Sequence, residues 1–168
     1  MSKRKKDVSK DQAVAALWEA GVLHWKLKGV QHKIREDILN DVNNISVVVA
    51  SRRTGKSFTM CLMALEYCLK KPGCIAKYAC PKQKMDKTII RPIIRSILED
   101  CPPHLRPEWK EADKIYVFPN GSEIHIAGTD NDNADNLRGS AADFALVDEA
   151  SYVDELDYVV RSVLSPIS

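Results

Sequence analysis

Residues 50–57 carry the pattern of a phosphate-binding loop. They read Ala50-Ser51-Arg52-Arg53-Thr54-Gly55-Lys56-Ser57, which matches G-x-x-x-x-G-K-[ST] everywhere except the first position, where alanine replaces glycine. Gly55 would let the backbone approach phosphates closely, Lys56 would place a positive charge on them, and the Ser57 hydroxyl could ligate Mg²⁺. The pattern therefore predicts a site for ATP and Mg²⁺. The alternative is a strand–turn–helix that binds nothing.

A second candidate is the acidic pair Asp148 and Glu149, which follows the apolar run 144–147. A buried strand there would deliver both carboxylates to the carboxyl edge of a sheet, where α/β folds bind ligands. Asp148 would then join the shell of the metal, and Glu149 would orient or deprotonate the attacking water. A strand that ends in acids is common, but its combination with the phosphate loop indicates an enzyme that hydrolyses ATP.

Arg138 is a candidate whose role the residues alone leave open. It follows the polar run 130–136, which predicts an exposed loop. From such a loop it could enter the site of a neighbouring subunit as an arginine finger. It could equally form an ion pair with Asp135 or Asp143.

Arg52 and Gln31 also have two interpretations each. Arg52 could reach the γ-phosphate of its own site or a loop of the next subunit, or it could pair with a nearby carboxylate. The Gln31 amide can donate and accept at once, which suits an adenine edge, but a solvated glutamine at a helix start is the alternative.

The elements that must position these residues alternate between strand and helix, which favours an α/β sandwich with a mostly parallel sheet. The β-branched run 45–50 predicts a strand buried on both faces before the loop, and 55–70 predicts a buried helix after it. Asn120-Gly121 predicts the turn of a small antiparallel hairpin. The other expected elements are helices at 12–25, 31–39 and 84–99 (kinked or restarted at Pro92) and strands at 75–80, 115–118, 123–127 and 144–147.

Length and composition predict one globular domain and exclude several classes of protein. The 168 residues are 45% hydrophobic and 29% charged, with a net charge of +2. No run of eighteen apolar residues is present, so we expect no membrane span.

The five cysteines lack the spacing of a zinc site or disulfide framework and are expected to be buried thiols. Residues 1–11 are predicted to be a flexible basic tail, or alternatively a segment that lies on a phosphate backbone, and 12–168 the ATPase core.

These motifs resemble the N-terminal ATPase domain of viral terminase large subunits of the tailed-phage type. The resemblance covers 27–150 and is carried by Ser51 to Ser57, Leu137-Arg138-Gly139, Gln31 and the stretch Ala79-Cys80-Pro81-Lys82-Gln83. It implies a P-loop NTPase of the ASCE class, which has an added catalytic glutamate and a three-layer sandwich. It also accounts for Ala50, a position at which the family tolerates residues other than glycine.

The resemblance implies a motor that hydrolyses ATP with Mg²⁺ and drives double-stranded DNA into a capsid. The expected partners are double-stranded DNA, further copies in a ring, the portal protein and the small terminase subunit, in the cytoplasm of the infected host cell. Nuclease activity is expected only of a C-terminal domain beyond this chain, as are the coupling motif and the lid. The alternatives are a helicase-like DNA translocase of the second superfamily and a non-hydrolysing, nucleotide-gated assembly module.

The resemblance also implies a set of site residues. The expected catalytic residues are Glu149, Lys56, Arg138 and Arg52. The expected ATP-binding residues are Gln31, Arg53, Thr54, Gly55, Lys56, Ser57 and Phe58, and the expected metal ligands are Ser57 and Asp148.

Overall fold

The computed structural model describes residues 9–42, 45–51 and 53–164 of the chain. Its α-helices are α1 (Lys10–Glu19), α2 (Val30–Asn40), α3 (Lys56–Lys70), α4 (Arg91–Ile97) and the short α5 (Leu156–Tyr158). Its strands are β1 (Ile75–Cys80), β2 (Glu108–Lys110), β3 (Ile115–Val117), β4 (Glu123–Gly128) and β5 (Phe144–Val147). No helix within these ranges is long and apolar enough to cross a membrane.

The strands form one sheet in the order β2-β3-β4-β1-β5. β1 pairs in parallel with β4 on one side and with β5 on the other, whereas β2, β3 and β4 pair antiparallel. The α/β class and the hairpin around Asn120-Gly121 are therefore confirmed. The expectation of a mostly parallel sheet is wrong, because the sheet is mixed. The difference has two causes: the run 45–50 contributes no strand, and β2, whose three residues are too short to carry a sequence signal, adds a second antiparallel pair.

Both faces of the sheet are covered near β1. Side chains alternate across a strand, so Ala76 and Tyr78 point to one face and Ala79 to the other. The first face packs on α3 and α4 in the main core, together with Trp18 of α1. The second packs on a smaller cluster from the segment 134–164, which includes Leu137 and Val153. α3 is buried almost all round, as its apolar sequence predicted, because it lies between the sheet and the N-terminal helices.

The predicted strand at 45–50 is not formed. Residues 45–51 make no strand pairing with the described part of the chain, and Val47 and Val49 are 84% and 93% exposed. A β-branched run becomes a strand only where a neighbour supplies the ladder of hydrogen bonds. β5 lies at the edge of the sheet, and none of the described strands lies beyond it to pair with this run.

Two other predictions of local structure were refined. The predicted helix at 84–99 is divided, because a π-helical turn at Asp86–Ile90 precedes α4 and Pro92 lies in the first turn of α4. The first helix begins at Lys10, inside the predicted tail, and Ser9 caps it through a capping box with Gln12. All five cysteines are buried and free.

A buried glutamate joins the N-terminal helices to α3. Glu66 is 4% exposed and accepts hydrogen bonds from the Leu23 amide at 2.7 Å and from the Arg35 guanidinium at 3.0 and 2.8 Å. Arg35 belongs to α2, which also carries Gln31. The pair therefore sets the position of α2 against the helix that follows the phosphate loop.

Glu66→Gln should lower the free energy of unfolding by about 3 kcal/mol, because it leaves the half-buried Arg35 charge without its counter-charge. Urea denaturation measures this change. Glu36→Gln on the exposed face of α2 is the matched control, with an expected change within about 0.5 kcal/mol. Equal stabilities of the two variants would show that the Glu66 ion pair does not hold the helices together.

Candidate nucleotide site

Gly55 starts α3 in a conformation that favours glycine. Its φ is +74°, in the left-handed region, and a Cβ at this position would lie 2.2 Å from the Gln31 Nε2 atom. The Gly55 carbonyl accepts hydrogen bonds from the Thr59 amide and from the Thr59 hydroxyl, both at 3.0 Å. The backbone conformation therefore favours glycine at the start of this helix, whereas the Gln31 side chain could move aside for a Cβ.

The rest of the loop is closed by short polar contacts. The Thr54 amide and hydroxyl donate to the Ser51 carbonyl at 3.2 and 2.8 Å. The Lys56 ammonium donates to the Ala50 carbonyl at 2.6 Å, so it lies over the loop. Arg53 is exposed and Phe58 is half-buried against the main core. Arg52 lies outside the described residues.

The structure joins Ser57 to Asp148 across 91 residues of sequence. The Ser57 hydroxyl donates to Asp148 Oδ2 at 2.5 Å, and the Tyr78 hydroxyl donates to the same oxygen at 2.8 Å. The Glu149 amide donates to the other oxygen, Oδ1, at 2.9 Å. Asp148 is 2% exposed, so its carboxylate lies between the start of α3 and the end of β5 with both oxygens engaged.

Burial governs the ionisation of the groups beneath this carboxylate. Burial, with smaller contributions from Cys61 and Asp148, raises the pKa of Tyr78 well above its ordinary value. Burial also raises the pKa of the Cys61 thiol, against a hydrogen bond with Tyr78 that lowers it. Both groups are therefore neutral near pH 7.

Glu149 is the first residue past Asp148 and has a left-handed backbone, with a φ of +50°. It is half-buried and lines a cleft of about 420 Å³ with Pro81, Lys82, Met85 and Tyr152. This cleft lies where β1 and β5 end, since Pro81 follows β1 and Glu149 comes two residues after β5. A carboxylate in such a place can reach a molecule that enters from solvent.

Gln31 lies in the first turn of α2, beside the loop. Its Nε2 donates to the Gly55 carbonyl at 3.4 Å, and its Oε1 accepts from the Lys28 amide at 2.9 Å. The structure thus brings together Gln31 and the phosphate loop, as well as Ser57 and Asp148. It does not bring Arg138 to this group.

Arg138 extends from the far side of the sheet and is half-exposed. Its guanidinium is 3.7 Å from Asp135 and lies over the Tyr158 ring at 5.5 Å. Asp143, the other partner considered from the sequence, binds Lys71 at 2.7 Å instead. The loop after Arg138 is held by Lys77, a buried residue of β1 whose ammonium donates to the Ser140 carbonyl at 2.5 Å.

The oxygen donors present at this site fit Mg²⁺. The ion prefers hydroxyl, carboxylate, phosphate and water oxygens and takes only one or two carboxylates in nucleotide sites. Ser57 and Asp148 supply one hydroxyl and one carboxylate within 2.5 Å of each other. No cluster of three or more His, Cys, Asp or Glu side chains suited to a metal occurs within the described ranges.

Tyr78 and Lys77 were missed from the sequence. Both lie in β1, where a tyrosine or lysine among apolar residues looks like ordinary strand composition. Successive side chains of a strand point to opposite faces of the sheet, so Tyr78 lies against Asp148 and Lys77 against the loop after Arg138. A lysine within an apolar strand was the one available signal, because lysine is rarely buried without a partner.

The fold is similar to that of a known phage protein. The ATPase domain of the large terminase of Thermus phage P74-26 matches with a TM-score of 0.58 and 18% sequence identity. The match covers 94% of this chain and 63% of that one, so the chain spans less than two thirds of the length of that domain. No curated protein matches the sequence.

The family model for the N-terminal part of the terminase large subunit, T4likevirus type, matches residues 47–159. This range contains Lys56, Ser57, Arg138, Asp148 and Glu149, and it is well over half of the 168 residues. The chain therefore belongs to the family of T4likevirus-type terminase large subunits.

Proposed function

We propose that this chain is the ATP-hydrolysing motor domain that drives double-stranded DNA into a viral capsid. The contact between Ser57 and Asp148 at 2.5 Å carries the proposal, because it couples the phosphate loop to the acidic strand end. In P-loop ATPases a loop serine or threonine and an aspartate of this kind hold the Mg²⁺ of the bound triphosphate. The proposed fold is the three-layer sandwich of ASCE-type P-loop ATPases.

In this proposal, the phosphate loop and the residues next to it bind ATP. The amides at the start of α3 present partial positive charge to the phosphates. Lys56 would exchange the Ala50 carbonyl for the β- and γ-phosphates, which are stronger acceptors because they are charged. Gln31 would present its amide to adenine from beside Gly55. Arg53, Thr54 and Phe58 complete the proposed contacts around the nucleotide.

In this proposal, Asp148 and Glu149 support the hydrolysis of ATP. Mg²⁺, when bound, would neutralise charge on the phosphates, and Ser57 and Asp148 are the residues that would hold it. Glu149 lines the open cleft next to them and would orient and deprotonate the water. The division of roles follows from burial, since Asp148 is enclosed by donors whereas Glu149 faces the space that water can enter.

Arg138 is proposed to act on the nucleotide of a neighbouring subunit. Its ion pair with Asp135 is long, at 3.7 Å, and half of its side chain is exposed, so little holds it in place. Arg52 is the other candidate for contact with the γ-phosphate. This arrangement requires a homo-oligomeric ring, with double-stranded DNA, the portal protein and the small terminase subunit as proposed partners in the host cytoplasm.

Phosphate release per subunit should rise with protein concentration, because Arg138 can complete a neighbour's site only in an assembly. Arg138→Ala should lower turnover in that assembly by about 1,000-fold with little loss of ATP binding. Mixing Arg138→Ala with Glu149→Gln should restore activity, since some interfaces then join an intact Glu149 to an intact Arg138. Arg161→Ala is the matched control, because the Arg161 side chain is exposed and pairs with Asp157.

Two outcomes would contradict parts of this proposal. ATP binding without phosphate release at any concentration would identify a nucleotide-gated assembly module instead of a motor. Turnover without recovery in the mixed assembly, with mixing itself confirmed, would place Arg138 in its own site or make it structural. Arg52 would then become the better candidate for the finger.

A further inference from the structure

Tyr78 makes a contact that packing alone does not explain. Its ring fills the main core and is 0% exposed, yet its hydroxyl meets a carboxylate, Asp148, at 2.8 Å. β1 and β5 are parallel neighbours with Tyr78 opposite Leu146, so Asp148, two residues further along, extends from the same face. The register of these two neighbouring strands therefore sets this hydrogen bond.

The hydroxyl donates to the same oxygen as Ser57. Oδ2 accepts from Ser57 at 2.5 Å and from Tyr78 at 2.8 Å, while Oδ1 accepts from the Glu149 amide at 2.9 Å. Ser57 lies at the start of α3, whereas Tyr78 belongs to β1 and the amide to the turn after β5. Two of the three donors to the carboxylate therefore come from the sheet and its adjoining turn and not from the loop.

We propose that Tyr78 is a positioning residue that holds the Asp148 carboxylate in the orientation needed for a divalent cation. The inference rests on the proposed role of Asp148 in the metal shell. Groups that hydrogen-bond to a metal-binding side chain fix its direction, and their removal typically costs 10- to 100-fold in metal affinity. Without the Tyr78 hydroxyl, the carboxylate keeps Ser57 and the Glu149 amide but loses its donor from the core.

Tyr78→Phe removes the hydroxyl and keeps the ring. The free Mn²⁺ signal in electron paramagnetic resonance, measured in the presence of ADP, reports metal binding without any turnover. We expect the dissociation constant for Mn²⁺ to rise by about 10-fold or more. ADP binding in EDTA should stay unchanged. Within the residues that the structure describes, the Tyr78 hydroxyl contacts Asp148 and touches neither the loop backbone nor Gln31. Tyr78→Met, which also fills the core without a donor, takes its place if the first variant does not fold.

Tyr116→Phe is the matched control, a buried tyrosine of the same core on β3, two strands away from β1. A double variant then tests whether Tyr78 acts through Asp148. In an Asp148→Asn background, Tyr78→Phe should cause no further loss of Mn²⁺ affinity. A merely structural hydroxyl would lower thermal stability equally in both backgrounds and leave the metal affinity at its control value.

The result separates this inference from the proposed function. If the wild-type chain binds no Mn²⁺ with ADP, or if Asp148→Asn binds it equally well, the assigned metal site itself is wrong. If Asp148→Asn weakens binding while Tyr78→Phe behaves like Tyr116→Phe, the site stands and the positioning role of Tyr78 is overturned.

Discussion

Lys56→Ala should lower ATP affinity by about 100-fold and leave no measurable hydrolysis. The Lys56 ammonium already lies over the loop, 2.6 Å from the Ala50 carbonyl, and a hydrogen bond from a charged donor contributes about 1.5–3 kcal/mol. Alanine keeps the helix, because it has the highest helix propensity, so the loss is one of charge and not of fold. Titration with a fluorescent ATP analogue and a phosphate-release assay measure the two effects.

The matched control is Lys70→Ala, at the exposed opposite end of the same helix. It removes one positive charge from α3 without touching the loop, and we expect ATP affinity within about twofold of the wild-type value, because an exposed charge at that distance is screened by salt. ATP hydrolysis by Lys56→Ala at the wild-type rate would refute the phosphate-loop assignment.

Glu149→Gln should leave ATP binding intact and lower hydrolysis by about 100- to 10,000-fold. The amide keeps the size of the side chain and its polarity but cannot take a proton from water. The substitution changes only the end of the side chain, so the backbone of residue 149 should keep its φ of +50°. Single-turnover phosphate release, with nucleotide affinity measured on the same sample, isolates the chemical step.

Glu155→Gln is the matched control, because this exposed glutamate has nearly the same backbone, with a φ of +51°. Its turnover should equal that of the wild type.

Asp148→Asn should instead weaken metal-dependent nucleotide binding, since it alters the carboxylate that Ser57 and Tyr78 hold. Persistent turnover in Glu149→Gln, together with loss in Asp148→Asn, would make Glu149 a bystander and remove the chain from the ASCE class.

The residues around the phosphate loop show how far local sequence can predict a site. Gly55, Lys56 and Ser57 were singled out because their spacing predicts a tight turn into a helix, and the structure forms that turn and that helix. The bounds of α3 and β1 followed from the apolar patterns at 55–70 and 75–80. Ile45 to Ala50 had an equally clear strand pattern and did not become a strand, because pairing depends on a neighbouring strand that a single segment cannot supply.

The amino-acid sequence by itself indicated the family and most helices and strands, and it singled out the candidate phosphate loop and the candidate acidic pair, since all of these depend on residues close together in the chain. The tertiary structure decided which distant residues meet. The parallel register of β1 and β5 brings Tyr78 to Asp148, and the start of α3 brings Ser57 to the same carboxylate from 91 residues away. It also decided that Arg138 contacts Asp135 and Tyr158 and that the sheet is mixed. Strand order and register depend on the packing of the whole core, and for that reason no local pattern could predict them.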